Sequence, residues 1–176
     1  MKKLKKVLGA SLYFLAVLTA VFIVVHFIGQ RTSVDGSSME PTLTDGDSLI
    51  IDKLSYLKNG PKRFDVIVFP YEYSSDTYYI KRVIGLPNET VKIDENGVIY
   101  INGEELKENY GKDRIEDPGL ASTEIMLNKN EYFVLGDNRN DSADSRFSSV
   151  GNIRREIIVG KAWMRVWPLN RLGLVK

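Results

Sequence analysis

The sequence predicts a mostly β fold: an antiparallel β-sheet domain with a small cap, preceded by one N-terminal transmembrane helix. Three observations carry this prediction. An apolar run without acidic residues lies close to the N-terminus, short runs rich in β-branched and aromatic residues follow Gly29, and no long 3.6-residue periodicity appears among them. With 176 residues and 43% hydrophobic content, the chain is able to bury a core of its own.

The first predicted element is the transmembrane helix, residues 7–28, in which His26 is the only side chain that titrates near neutral pH. About 20 apolar residues are enough for a helix to cross the hydrocarbon core of a bilayer. The run continues about two helical turns beyond the small residue Ala20, so an uncleaved anchor is favoured over a cleavable signal peptide. Four lysines lie within residues 1–6, which places them in the cytoplasm and residues 29–176 outside the cell membrane.

Short hydrophobic runs divide the remaining chain into predicted strands. These are residues 48–52, 64–69, 77–85, 90–93, 98–101, 131–136 and 156–167. The Asn-Gly pair at positions 96 and 97 stands between two of the runs and predicts a β-hairpin. The region 90–127 is otherwise more charged and poorer in strands, so we expect it to form an excursion or small cap beside the main sheet.

Composition excludes several classes of function. The 24 basic and 23 acidic residues nearly cancel, which argues against nucleic acid as a partner. No cysteine is present and His26 is the only histidine, so the sequence excludes thiolate chemistry, a multi-histidine zinc site and a Ser-His-Asp triad in the polar domain. We expect neither a metal nor another cofactor.

The stretch DGSSMEPTL, residues 35–43, contains two serines that need a base if either is to act as a nucleophile. Without histidine, a serine can be activated by a neutral lysine or by a carboxylate. Lys81 in YYIKRVIG is a candidate, because alternation in a strand places Tyr79 and Val83 beside it on one face. Holding a lysine neutral near pH 7 to 8 costs on the order of 4 kcal/mol, which burial can impose. A lysine that only snorkels at a sheet edge remains the alternative.

A third polar stretch, GDNRNDSADSR at residues 136–146, follows a predicted strand. Its Asn, Asp and Ser residues are typical of a solvated turn. The same hydrogen-bonding groups could also orient a catalytic lysine, and the composition leaves both interpretations open.

Taken together and in this order, the apolar N-terminus and the three motifs resemble type I signal peptidases of the Gram-positive-like branch. These are membrane-anchored serine endopeptidases that remove signal peptides from exported proteins. The resemblance runs from about residue 7 to 168. It implies that Ser38, directly before Met39, is the nucleophile, that Ser37 only occupies the turn, and that Lys81 is the general base.

Supporting roles follow from the same resemblance. It implies that Ser142 hydrogen-bonds and orients the lysine and that Asp144 and Arg146 shape the site through an ion pair. The oxyanion hole would use the backbone N–H of Ser38. Some members of the family add a serine hydroxyl where this chain has Gly36, and losing one donor can cost roughly 3 to 4 kcal/mol of transition-state stabilisation. We therefore expect a compensating group or slower turnover.

The resemblance also implies a substrate: signal peptides of secreted preproteins, cut after Ala-X-Ala-like sequences, with membrane lipid as a further partner. No oligomeric state is predicted. Shallow apolar pockets for the two small residues would be formed by Val34, Met39, Leu43, Leu49, Val68, Tyr79 and Ile80. Each of these side chains could equally be part of the core.

Other classes fit the sequence less well. Residues 55–58, SYLK, match the S-x-x-K motif of penicillin-binding proteins, but the K-T-G motif of that class is missing. Self-cleaving repressors pair serine with lysine but carry a DNA-binding domain in place of an anchor. A membrane-anchored β-domain that binds partners without catalysis, or an inactive homologue, remains the principal alternative.

Overall fold

The computed structural model describes residues 2–23, 29–71 and 77–176. The chain begins with one α-helix, α1 (Lys2–Ile23), which covers most of the predicted transmembrane segment. Residues 24–28 of that segment, with His26, lie outside the described residues. Within the described ranges, no helix combines the length and the apolar content that crossing a bilayer requires. The membrane anchor therefore stays a prediction.

The rest of the described chain is built from twelve β-strands and short 3₁₀ turns. The strands are β1 (Gly29–Ser33), β2 (Ser48–Asp52), β3 (Val66–Pro70), β4 (Tyr78–Gly85), β5 (Thr90–Ile93), β6 (Ile99–Ile101), β7 (Glu104–Glu105), β8 (Ile125–Met126), β9 (Glu131–Leu135), β10 (Ile153–Arg154), β11 (Gly160–Trp167) and β12 (Gly173–Leu174). The 3₁₀ turns are Gly119–Ser122, Arg155–Ile157 and Leu169–Arg171.

The strands form two sheets, and all their pairings are antiparallel, as predicted. The large sheet has the order β1-β2-β11-β3-β4-β9-β10, with β12 added to β11. The small sheet has the order β7-β6-β5-β8 and contains only strands from the region 90–127.

At the centre of the large sheet, Ile67 of β3 pairs with Lys81 of β4, and Val68 pairs with Ile80. Because side chains alternate along a strand, these two strands present two different faces. We call one the Lys81 face, which carries Ile67, Phe69, Tyr79, Lys81 and Val83. The other is the Ile80 face, which carries Val66, Val68 and Ile80. A separate hydrophobic cluster covers each face.

The predicted strands agree with the structure most closely where hydrophobic residues alternate. The hairpin at the Asn-Gly pair is confirmed, because Asp94 N–H donates to the Val98 carbonyl at 3.0 Å and Gly97 has a φ of +73°. β1 was not predicted, since Gly29–Ser33 contains no large apolar side chain. The last long strand begins at Gly160 instead of residue 156, because Arg155–Ile157 forms a 3₁₀ turn.

The region 90–127 is richer in strands than its charge suggested. It forms its own four-stranded sheet, whose Val91 and Ile93 pack in one hydrophobic cluster with Ile84 and Phe133 of the large sheet. The small sheet is therefore joined to the large one by apolar contacts. Its role as a small cap beside the main sheet stays a prediction.

Candidate active site

Ser38 lies in a tight turn between β1 and β2 that is anchored in the hydrophobic core. Gly36 opens the turn with a φ of +90°, a conformation that L side chains rarely adopt, so a serine does not fit at this position without a change of backbone. Met39 is 1% exposed and Leu43 is fully buried, which anchors the turn in the cluster on the Ile80 face. A hydrogen bond from Leu43 N–H to the Met39 carbonyl, 2.9 Å long, closes it.

The amine of Lys81 meets the hydroxyl of Ser38. The distance from Lys81 Nζ to Ser38 Oγ is 2.8 Å, and the same amine donates to the Ile80 carbonyl at 3.0 Å. The Tyr79 ring lies 5.0 Å from the amine. Lys81 is only 4% exposed, so the snorkelling alternative does not describe this side chain.

Burial changes the acidity of this lysine. Desolvation lowers the pKa of Lys81 from 10.5 to about 8, against the opposing effect of the carboxylates of Asp144 and Asp137. A neutral amine is therefore available at mildly alkaline pH. Because a neutral amine can accept a proton from a hydroxyl at this distance, the pair has the geometry of a nucleophile and its base.

Three hydrogen bonds join the loop 136–146 to Ser37 and Ser38. Asn138 donates its backbone N–H to the Ser38 carbonyl at 3.1 Å and its side-chain amide to the Ser37 carbonyl at 3.2 Å. The hydroxyl of Ser37 donates to Asp141 at 2.5 Å. Ser37 thus has a carboxylate partner of its own, and Ser38 is the serine whose hydroxyl reaches the amine.

Asp144 and Arg146 form the predicted ion pair in the interior, at 2.8 Å between Nε and Oδ1. Asp144 also accepts the backbone N–H of Gly136 at 3.1 Å, and Arg146 donates to the backbone carbonyls of Asp117 and Arg139. The pair therefore ties both ends of the loop 136–146 to each other. Its effect on catalysis stays a prediction.

Ser142 differs from its prediction. Its hydroxyl is buried, and among the described residues it has no hydrogen-bond partner. The predicted bond to Lys81 is therefore not formed here. The physical reason is that the Lys81 amine is directed at Ser38 and at the Ile80 carbonyl. Ser142 does lie close to Ser38, because a Cβ placed on Gly136 would stand 2.2 Å from Ser142 Oγ and 2.5 Å from the Ser38 carbonyl oxygen.

A groove of about 390 Å³ opens beside Ser38 and Lys81. Four of the predicted wall residues line it: Val34, Met39, Tyr79 and Ile80. The prediction was wrong for Leu43, Leu49 and Val68, which are 0%, 0% and 1% exposed and do not line this groove. They pack in the same hydrophobic cluster as Val34, Met39 and Ile80, so they support the wall from inside the core.

The sequence analysis missed a second buried ion pair next to the site. Arg82 and Asp137 are both fully buried, with 2.7 Å between Nη2 and Oδ2, and Thr42 donates to the same carboxylate oxygen at 2.6 Å. The Arg82 guanidinium also lies 3.7 Å from the centre of the Tyr110 ring. The sequence does contain a signal for this pair. Arg82 alternates with Ile80 and therefore lies on the apolar Ile80 face, where a charged side chain is buried only together with a partner.

The chain is similar in sequence to proteins of one known family. Residues 7–167 match the family model described as signal peptidase, peptidase S26. Signal peptidase I of Leptolyngbya laminosa is 42% identical over 154 residues, which cover 84% of this chain and 73% of that protein. Signal peptidase I T of Bacillus subtilis is 37% identical over 169 residues, which cover 92% of this chain and 86% of that protein.

A solved structure is also similar. It is the crystal structure of a signal peptidase I from Enterococcus faecalis, 33% identical, covering 57% of this chain and 95% of that one with a TM-score of 0.45. The family is established by the match over residues 7–167 and by relatives above 30% identity. The chain belongs to the signal peptidase I family, peptidase S26, and is a serine-type hydrolase that acts in signal-peptide removal.

Proposed function

We propose that this protein cuts N-terminal signal peptides from exported preproteins with Ser38 as nucleophile and Lys81 as general base. One observation carries the proposal: the buried amine of Lys81 lies 2.8 Å from the hydroxyl of Ser38. A lysine whose pKa is lowered by burial is able to take the serine proton near neutral pH. No histidine is needed for this step.

The reaction proceeds in two halves. Neutral Lys81 accepts the proton of Ser38 Oγ as that oxygen attacks the carbonyl carbon at the cut, and the Ser38 backbone N–H donates to the oxyanion. The protonated lysine then gives its proton to the departing amine of the mature protein. In the second half, neutral Lys81 takes a proton from the water that attacks the acyl-enzyme carbonyl. The protonated lysine then returns this proton to the departing Ser38 oxygen, which restores the free serine and the neutral amine.

Specificity for Ala-X-Ala-like sites is supported by the groove beside the dyad. Its apolar wall of Val34, Met39 and Ile80 rests on buried side chains and has little freedom to move apart. Such a wall accepts small apolar residues before the cut. Larger residues would have to displace a packed core.

A membrane location is supported by the sequence of the N-terminal segment and by exposed apolar side chains near the other end of the chain. On β11, β12 and the segment between them these are Trp163, Trp167, Leu169, Leu172 and Leu174. Exposed aromatic and leucine side chains of this kind favour contact with lipid. We propose a single-pass anchor with a cytoplasmic N-terminus and a catalytic domain outside the membrane.

The proposed activity is tested with one secreted precursor incubated with the purified full-length protein in detergent. Mass spectrometry of the products should show a single new N-terminus directly after an Ala-X-Ala site. Cleavage at scattered sites would contradict the Ala-X-Ala specificity, and no cleavage of several exported precursors would favour the binding-module alternative.

The rate should depend on pH through the Lys81 amine. Its pKa is about 8, and the protonated form below that value cannot act as a base. We expect kcat/KM to rise about tenfold per pH unit below pH 8 and to level off above it. The measurement is peptide cleavage from pH 5.5 to 9.5, with circular dichroism as a control for folding. A flat profile would contradict the assignment of the base.

Gly136→Ala should slow the reaction by displacing the nucleophile. A Cβ at this position would stand 2.5 Å from the Ser38 carbonyl oxygen and 2.2 Å from Ser142 Oγ. The carbonyl belongs to the backbone, so the turn itself has to move, and a shift of about 1 Å can cost a hundredfold in rate. We expect kcat/KM to fall by about that factor.

Gly173→Ala is the matched control for this substitution, because a Cβ there meets no atom within 4 Å. Its kcat/KM should equal that of the wild type. Equal activity of both alanine variants would show that the contact between Gly136 and the serine turn does not position Ser38.

A further inference from the structure

A second groove of about 380 Å³ lies on the Lys81 face, between the ends of β3 and β4 and the segment 149–157. Its floor contains Phe69, Tyr79 and Ile153, of which Phe69 and Ile153 are 2% exposed. Val150 and Ile157 form part of its walls, and both are partly buried. The lining is mainly apolar and aromatic, and its polar members are Ser149, Asn152 and Arg154.

Tyr79 connects this groove to the one beside the dyad, because its side chain lines both. The Tyr79 ring stacks on Tyr71 with 4.7 Å between the ring centres and meets Phe69 edge-on at 6.1 Å. These contacts hold the ring in place. The second groove therefore continues the candidate active site onto the Lys81 face of β4.

The strand between the two grooves has an open edge. β3 pairs with β4 along Tyr78–Arg82, whereas β9 pairs on the other side only from Arg82 onward. Among the described residues, no strand pairs with the β9 side of the segment 78–81. Lys81 lies at the end of this open edge, beside Ser38. An extended peptide can add to such an edge through its backbone.

Alternation decides where the side chains of that peptide point. The residue before the cut and the third residue before it share a face, and the wall for small residues, Val34, Met39 and Ile80, belongs to the cluster on the Ile80 face. The middle residue then points to the opposite face, toward Tyr79. We propose that the second groove binds the middle side chain of the Ala-X-Ala site and favours a large apolar or aromatic residue.

This inference rests on the proposed function, since it assigns a subsite to the same reaction. The chemistry of the groove supports the class of side chain. Phe69, Tyr71 and Tyr79 offer aromatic surface to an apolar or aromatic group. A cationic middle residue would lose water against this surface and would meet Arg154, the charged residue of the lining, so it is disfavoured.

The test uses two precursors that differ only in the middle residue, phenylalanine in one and glycine in the other. With wild-type protein, kcat/KM should be about tenfold higher for the phenylalanine precursor, a usual size for discrimination in an apolar pocket. Val150→Trp fills the groove from one wall and should bring the ratio close to one. Ile157→Trp fills it from another wall and serves if the first variant does not fold.

Leu57→Trp is the matched control, because Leu57 is 73% exposed and lines neither groove. It should keep the wild-type ratio. A wild-type ratio of one, with both precursors cut, overturns the subsite and leaves the proposed function standing. A ratio that survives both groove-filling variants also overturns it, whereas failure to cut either precursor counts against the proposed function itself.

Discussion

Ser38→Ala lowers kcat/KM for precursor cleavage by about 10⁴-fold or more, because it removes the only hydroxyl that the Lys81 amine contacts in the described structure. Losses of this size are usual when the nucleophile of a serine hydrolase is replaced. The change is small and local, since alanine keeps the backbone that accepts the hydrogen bond from Asn138. Single-turnover kinetics with mass-spectrometric detection of the mature product measure the effect.

Ser37→Ala is the matched control. This substitution removes one hydrogen bond to Asp141, 2.5 Å long, on an exposed part of the turn, and leaves Ser38 and Lys81 in place. We expect a loss of about tenfold or less, because an exposed hydrogen bond contributes about 0.5 to 1.5 kcal/mol. If Ser37→Ala were inactive and Ser38→Ala active, the assignment of the two serines would be reversed.

Lys81→Met abolishes cleavage to a similar extent, about 10⁴-fold, and is also expected to stabilise the fold at neutral pH. Methionine keeps much of the length and the apolar surroundings of lysine but cannot accept a proton. Loss of activity without loss of stability separates a catalytic role from a structural one. Guanidinium unfolding curves and precursor cleavage, measured on the same preparation, test both halves of this prediction.

The direction of the stability change follows from the pKa of Lys81, which is 10.5 for a solvated lysine, as in the unfolded chain, and about 8 in the folded protein. A cation whose folded pKa is lowered opposes folding at pH values below the folded pKa, and the penalty disappears as pH rises from 8 to 10.5. This difference in pKa lowers the free energy of unfolding by about 3 kcal/mol at pH 7. The gain from Lys81→Met should therefore shrink above pH 8. A destabilised Lys81→Met protein at pH 7 would contradict the cost assigned to burial.

Lys58→Met provides the control for this second substitution. Lys58 is exposed and belongs to the S-x-x-K sequence at residues 55–58, in which the Ser55 hydroxyl donates to Asp52. We expect wild-type activity and wild-type stability. An inactive Lys58→Met protein would revive the alternative serine–lysine motif of the penicillin-binding class.

Strand positions were predictable where the local pattern decides them. β2 and β5 have the predicted bounds, and β4 begins one residue later than expected, because alternation of apolar side chains marks a half-buried strand. β1 lacks that pattern and is held by its pairing with β2, a contact between residues far apart in sequence. Tertiary pairing of this kind leaves no trace in the residues of the strand itself.

The site was predictable as a set of motifs but not as a geometry. Ser38 and Lys81 were singled out by motif, and the structure brings their reacting atoms together. The partner of Arg82 and the surroundings of the Ser142 hydroxyl were not predictable, since they depend on how the loop 136–146, more than 50 residues beyond Arg82, packs against β4. Leu43, Leu49 and Val68 were assigned to the groove because an apolar residue near a motif has the same sequence signature whether it lines a pocket or supports one.

The bond from Asn138 N–H to the Ser38 carbonyl joins main chain to main chain. Every amino acid except proline carries this donor, so substitutions at position 138 do not by themselves remove it. Side chains near the nucleophile are thus able to diverge during evolution while the attacking oxygen keeps its place.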